Sequence, residues 1–178
     1  MNRDIGNKTK KIAYGAVLTA LCTIMLGVGS IITTLDISLA AYAGFVILFI
    51  TIEGGDKMAF SVYFCTSVLA FIILPQKSPA FIFAFFMGWY PIFKKHVEKI
   101  KPFFAWIVKL SAYNTAILLI YLVTVKILSL EYELVEMTLL YFLLANVAFI
   151  FFDIALNIFI PFYIFKIRKR LGFKKDLF

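Results

Sequence analysis

Charge is scarce in this chain: 16% of its 178 residues are Asp, Glu, Lys or Arg, where a soluble domain carries about 25%. Histidine occurs once, as His96, and cysteine twice, as Cys22 and Cys65. A single His removes the clusters on which intramembrane metalloproteases and His-dependent phosphatases rely. The two Cys lie inside apolar runs without CxxC spacing, so neither a disulfide framework nor a zinc site is indicated, and both read as small packing residues. There is no GxxxxGK[ST] phosphate loop, so any pumping requires a partner or a gradient. Within the apolar runs Asp153 is the only deeply placed acid. That leaves no carboxylate pair for acid–base work, and the expectation is a protein that is not an enzyme and needs no cofactor.

What is abundant is apolar surface. Hydrophobic residues make up 63% of the chain, Phe alone contributes 21, and the mean hydropathy is +0.96. A 20.3 kDa protein has no core large enough to hide this from water, so its solvent is largely lipid. Long runs with weak alternation favour spanning helices over an outer-membrane barrel. Charge, Pro and Gly divide the sequence into apolar runs at about 12–32, 37–52, 58–74, 78–93, 103–128 and 138–165. A helix needs about 20 residues to cross about 30 Å of hydrocarbon, so the second to fourth runs are short and the last is long enough to tilt. The fourth, with Gly88 and Pro91, would suit a re-entrant path. That path would place Lys94, Lys95, Lys99 and Lys101 on the same side as Lys77, against the positive-inside rule.

With six crossings and both termini cytoplasmic, the inner segments 1–11, 53–57, 94–102 and 166–178 hold fifteen of the eighteen Lys and Arg residues. The net charge of +8 is thereby explained by topology, and no nucleic-acid partner is expected. The basic stretch from Lys166 to Lys175 reads as a topology anchor, and Trp89, Tyr90 and Trp106 as an aromatic belt. No internal repeat is present, and short connections leave no room for a soluble domain. The predicted fold is an all-α integral membrane protein, one six-transmembrane-helix bundle over 1–178, multi-pass in the cell membrane.

Two features go beyond packing into lipid. Ala13, Ala16, Ala20, Thr23, Gly27 and Ser30 form one narrow stripe of small residues along the first run. Lipid tails supply no hydrophobic drive between helices, so such a stripe is a docking face, either inside the same bundle or on another subunit. The second feature is a set of polar residues in the last two runs: Lys109, Tyr113, Asn114 and Lys126, then Asn146, Asp153 and Asn157. Counting from the cytoplasmic ends puts Asn114 and Asp153 at similar depth near the midplane. An acid there costs at least about 2.5–3.5 kcal/mol, so it must be paired, with Asn114 or Lys109, or face a ligand cavity. The amide of Asn146 could read a ligand or bond another helix. With no Arg in the outer half, an anionic ligand would have to use Lys77 or Lys126, whereas the outer acids Asp36, Glu131, Glu133 and Glu136 suit a cationic or neutral one. The candidate substrate-binding residues are thus Lys77, Asn114, Lys126, Asn146 and Asp153, and the candidate docking residues Ala13, Ala16 and Ala20.

The opening KTKKIAYGAVLTALCTIML resembles the first helix of the substrate-binding S components of energy-coupling factor transporters, in which a basic N-terminus precedes a helix bearing AxxxA, here Ala16 to Ala20. Length, six spans and internal termini fit the same family. The resemblance implies a subunit that captures a vitamin or similar micronutrient near its outer side. It further implies docking through small first-helix residues onto a membrane coupling subunit served by two ATPase subunits. Ala16 and Ala20 carry over as the partner contact. None of the residue sets that would assign a known vitamin is present, so the small-molecule ligand stays open. The alternative is a non-catalytic membrane scaffold or assembly subunit, which needs the stripe but no cavity.

Overall fold

The computed structural model describes residues 2–123 and 139–168. Among these, every regular element is helical. Five helices are long and apolar enough to cross a membrane, Thr9–Ile31, Thr33–Glu53, Gly55–Ile73, Pro102–Leu122 and Phe142–Lys166. The chain is an all-helical, multi-pass membrane protein. Lys126, the acids Glu131, Glu133 and Glu136, and the basic tail beyond Arg168 lie outside the described residues. The described residues divide into two compact units, 2–96 and 97–168.

The first unit contains α1 (Asn2–Ile31), a 3-10 turn (Thr33–Leu35), α2 (Asp36–Glu53), α3 (Gly55–Ile73), α4 (Ser78–Ile82), a π turn (Phe83–Met87) and α5 (Tyr90–Val97) at its end. The helices α2 and α3 have 18 and 19 residues, longer than the apolar runs behind them. Each takes flanking polar residues into its first turn, where Asp36 and Asp56 meet the positive end of the helix dipole. At 1.5 Å per residue both come to about 27–29 Å, close to the hydrocarbon thickness. Their corner is made by two glycines: Gly55 has φ +79°, and a Cβ at Gly54 would meet Met58 Sδ at 2.6 Å.

Helices α1, α2 and α3 pack on one another. Their shared interior is rich in small side chains, Ala40, Ala43, Ala59 and Ala70 being fully buried, which lets backbones approach where lipid supplies no hydrophobic drive. Cys22 sits in this interior with its thiol 3.9 Å from the Ala43 carbonyl, as a packing residue. Polar ties close the helix junctions. The Ser30 hydroxyl donates to the Gln76 carbonyl and accepts from the Gln76 amide, both at 2.8 Å, and Ser78 donates to Asp36 at 2.7 Å.

The fourth apolar run is a broken helix. Its π turn is marked by the Gly88 amide bonding five residues back to Phe83 at 2.8 Å. A π turn disturbs the regular ladder, and here two side chains take up carbonyls within it: Tyr63 donates to Ala84 at 2.8 Å and the Trp89 indole to Phe85 at 2.6 Å. Gly88 makes room for this arrangement, since a Cβ there would lie 2.5 Å from Tyr63 Cδ2 and 2.9 Å from Phe83 Cζ.

The second unit contains α6 (Pro102–Leu122), α7 (Leu139–Phe162) and a π turn (Tyr163–Ile167) that continues α7. Pro102 opens α6 where its missing N–H is harmless. Inside α7, Pro161 cannot bond back to Asn157, and the π turn follows directly. The two helices run antiparallel in one register: Lys109 reaches Asp153, and Tyr113 stacks on Phe149 at 4.6 Å while its hydroxyl bonds the Ala145 carbonyl at 2.7 Å. This corrects the depth expected from counting. Asp153 is level with Lys109, whereas Asn114 lies five residues further along α6, about 7.5 Å. The count failed because α7 and its π turn run past the start of α6, so the two ends are no common origin.

Candidate functional site

The polar residues of the second unit converge on a cavity of about 240 Å³ lined by Glu98, Trp106, Lys109, Asp153 and Asn157, with Ile100, Pro102 and Ala105. Lys109 is 4% exposed and Asp153 0%. The Lys109 ammonium lies 3.1 Å from Asp153 Oδ2 and 3.0 Å from Glu98 Oε1. It also sits 5.4 Å from the centre of the Trp106 ring, close enough for the ring face to attract it. Asn157, one turn after Asp153 on α7, donates to the same carboxylate at 3.4 Å. Helix spacing explains the geometry: 153 and 157 share a face four residues apart, and Trp106 precedes Lys109 by three on α6.

A buried charge is stable only with a partner and further hydrogen bonds. Asp153 has both, so of the alternatives open from sequence the pair with Lys109 is the one formed. Asn114 is not among its partners, and Asn114 Oδ1 is buried without a hydrogen bond. Taken together, Glu98, Lys109 and Asp153 bring two negative charges and one positive to the same cavity. Such a wall can orient a small polar or cationic molecule, with Asn157 offering an amide and Trp106 a flat face.

The other predicted residues are placed as follows. Lys77 lies in the first unit, where its ammonium donates to the carbonyls of Phe71 at 2.8 Å and Leu74 at 2.5 Å, capping the end of α3. Asn146 donates to the Phe142 carbonyl of its own helix at 2.9 Å, an intrahelical bond and not an interhelical one. Asn114 lines an open groove on α6. Among the described candidates, Asp153 alone lines the polar cavity. On α1, Ala13, Ala16 and Ala20 are exposed, while Thr19, Cys22, Leu26 and Ser30 are buried. Along the small stripe Ala13, Ala16 and Ala20 are thus exposed, Thr23 and Gly27 half-buried and Ser30 buried, so it runs from the surface into the interior.

Sequence reasoning missed Glu98 and Trp106 as cavity residues, because one was assigned to a topological loop and the other to an aromatic belt. A usable signal was present in Glu98, the one acid within 94–102. No family model, curated protein or solved structure matches the chain.

Proposed function

We propose that this chain is the substrate-binding membrane subunit of a small-molecule, vitamin-like uptake transporter in the cell membrane, docked through α1 onto a membrane coupling subunit and energised by partner ATPase subunits. The observation that carries this reading is the exposure of Ala13, Ala16 and Ala20. Three sectors share α1: a buried one at Thr19, Cys22 and Leu26, a bulky exposed one at Val17, Leu21, Ile24 and Val28, and the small exposed one between them. Bulky aliphatic residues suit lipid; small ones suit the backbone of another helix. The nearby hydroxyls of Thr19 and Thr23 bond carbonyls of their own helix at 2.9 Å, so the face makes no polar demand of its own.

Replacing both Ala16 and Ala20 with Leu adds bulk where a partner backbone must approach. The expected result is loss of the co-purifying subunits with unchanged thermal stability of the isolated chain. A folded double variant that keeps its partners would overturn the docking reading, and so would one whose stability collapses when purified alone.

The scaffold reading is favoured by a different observation: Lys77, Asn146 and Asp153 all have partners within the protein. The two readings separate on ligand binding. Screened against water-soluble vitamins and their precursors, a substrate-binding subunit gains about 2.7 kcal/mol with its ligand at a hundredfold over Kd, seen as a raised Tm. A scaffold shows no shift with any of them.

A further inference from the structure

Close-packed interiors leave few voids larger than one water, yet the ion pair of the second unit stands beside a cavity of about 240 Å³. At about 30 Å³ per water that is room for about eight, or for one molecule of similar size. A salt bridge that served packing alone would have side chains in this space. The whole lining belongs to the second unit.

Charge decides what such a molecule can be. The lining sets the carboxylates of Glu98 and Asp153 against the single ammonium of Lys109, which leaves an excess of one negative charge. Lys109 is seven residues into the span that begins at Pro102, about 10 Å along it, where charges are weakly screened. A monocation brings the wall to neutrality, a neutral molecule leaves it as it is, and an anion doubles the excess.

The hydrogen-bonding groups point the same way. Lys109 already donates to both carboxylates, at 3.0 and 3.1 Å, and the Asn157 NH2 group donates to Asp153. What the wall offers a newcomer is therefore acceptors: the Asn157 carbonyl oxygen, and carboxylate oxygens with about four lone-pair sites on each group. Glu98, with its side chain 36% exposed, is the carboxylate within reach, whereas Asp153 is sealed at 0%. Asn157 is exposed as well. Beside them Trp106, 37% exposed, has a ring face that attracts cations. A flat, delocalised cation with parallel N–H groups matches a carboxylate better than a compact ammonium does.

We propose that this cavity binds a small organic monocation of the amidinium or guanidinium type, its N–H groups on Glu98 and Asn157 and its flat side against Trp106, with the Lys109–Asp153 pair as the fixed floor of the site. The inference rests on the reading that the chain binds a small molecule, but on no residue of α1. A chain that binds a vitamin and no amidinium would keep the proposed function and lose this site.

The test is isothermal titration of the purified full chain in detergent with three molecules of one shape: benzamidine, a cation; benzamide, neutral; and benzoate, an anion. Benzamidine is expected to saturate at one per chain with a Kd of about 1 mM or tighter, and the other two to bind at least about tenfold more weakly. Glu98→Gln keeps the shape and removes the charge, and is expected to weaken benzamidine about tenfold with an unchanged Tm. Trp106→Leu is expected to weaken it too, while Trp106→Phe retains it. Asp56→Asn removes an exposed acid of the first unit that pairs with Lys95, and is expected to leave binding as it was. No saturable binding of benzamidine, equal affinity for the three molecules, or binding indifferent to both Glu98→Gln and Trp106→Leu would each overturn the proposal.

Discussion

Lys109 and Asp153 hold each other in place, and neither can be spared alone. Removing one partner of a buried pair leaves the other as an uncompensated charge, which costs about 3–5 kcal/mol. Asp153→Leu is expected to lose that much in thermal unfolding of the detergent-solubilised protein. Asp153→Asn is expected to lose less, because its amide oxygen still accepts from the ammonium. Combining Lys109→Met with Asp153→Leu is expected to recover part of the loss, since the two buried charges leave together and only the part-exposed Glu98 loses its contact with Lys109. Equal losses for the Leu and Asn variants would contradict the pairing. Part of this site was legible in the sequence: a lone acid deep in an apolar run must have a partner, and Lys109 was one of two candidates. Choosing between Lys109 and Asn114 required the register of α6 against α7, which no periodicity within either helix contains. Glu98 and Trp106 join through the reach of the Lys109 side chain, a property of three-dimensional position and not of spacing.

At the scale of elements, the six apolar runs each become helix within the described residues, because apolar length in lipid leaves the backbone only its own hydrogen bonds. The break within the fourth run was legible as a warning from Gly88 and Pro91, but its form was not. The π turn depends on Tyr63, a residue of α3, whose hydroxyl takes the Ala84 carbonyl. Gly88→Ala is expected to push the Tyr63 ring away and cost about 1–3 kcal/mol, the penalty of leaving a buried carbonyl without its donor. Gly27→Ala is the control, because a Cβ there meets nothing within 4 Å and alanine is the better helix former by about 1 kcal/mol. Opposite shifts in Tm are the expected outcome, and a loss of similar size in both would refute the role given to Gly88.

For the molecule as a whole, the strongest signal in the sequence is the one-sided distribution of Lys and Arg. It predicts that a cysteine introduced at Lys99 reacts only with reagents that reach the cytoplasm, and one at Glu133 with impermeant reagents from outside. Reversed labelling would invert the protein and move the 240 Å³ cavity beside Glu98 to the other half of the bilayer. The π turn of the fourth segment also reaches beyond its own five residues, through chain length. A π turn holds one residue more than the α-turn it replaces, so it absorbs that residue and leaves the chain after it in the phase of the ladder before it. Deleting one residue from Phe83 to Met87 would let the ladder close as an ordinary helix with that phase kept, whereas deleting a second would rotate the following chain by about 100°. Pro91 would then stand where Tyr90 is buried, and the exposed Lys95 where Lys94 is buried. The π turn is thus slack of one residue: the segment can lose that residue and keep the inward face of α5, but it can lose no more.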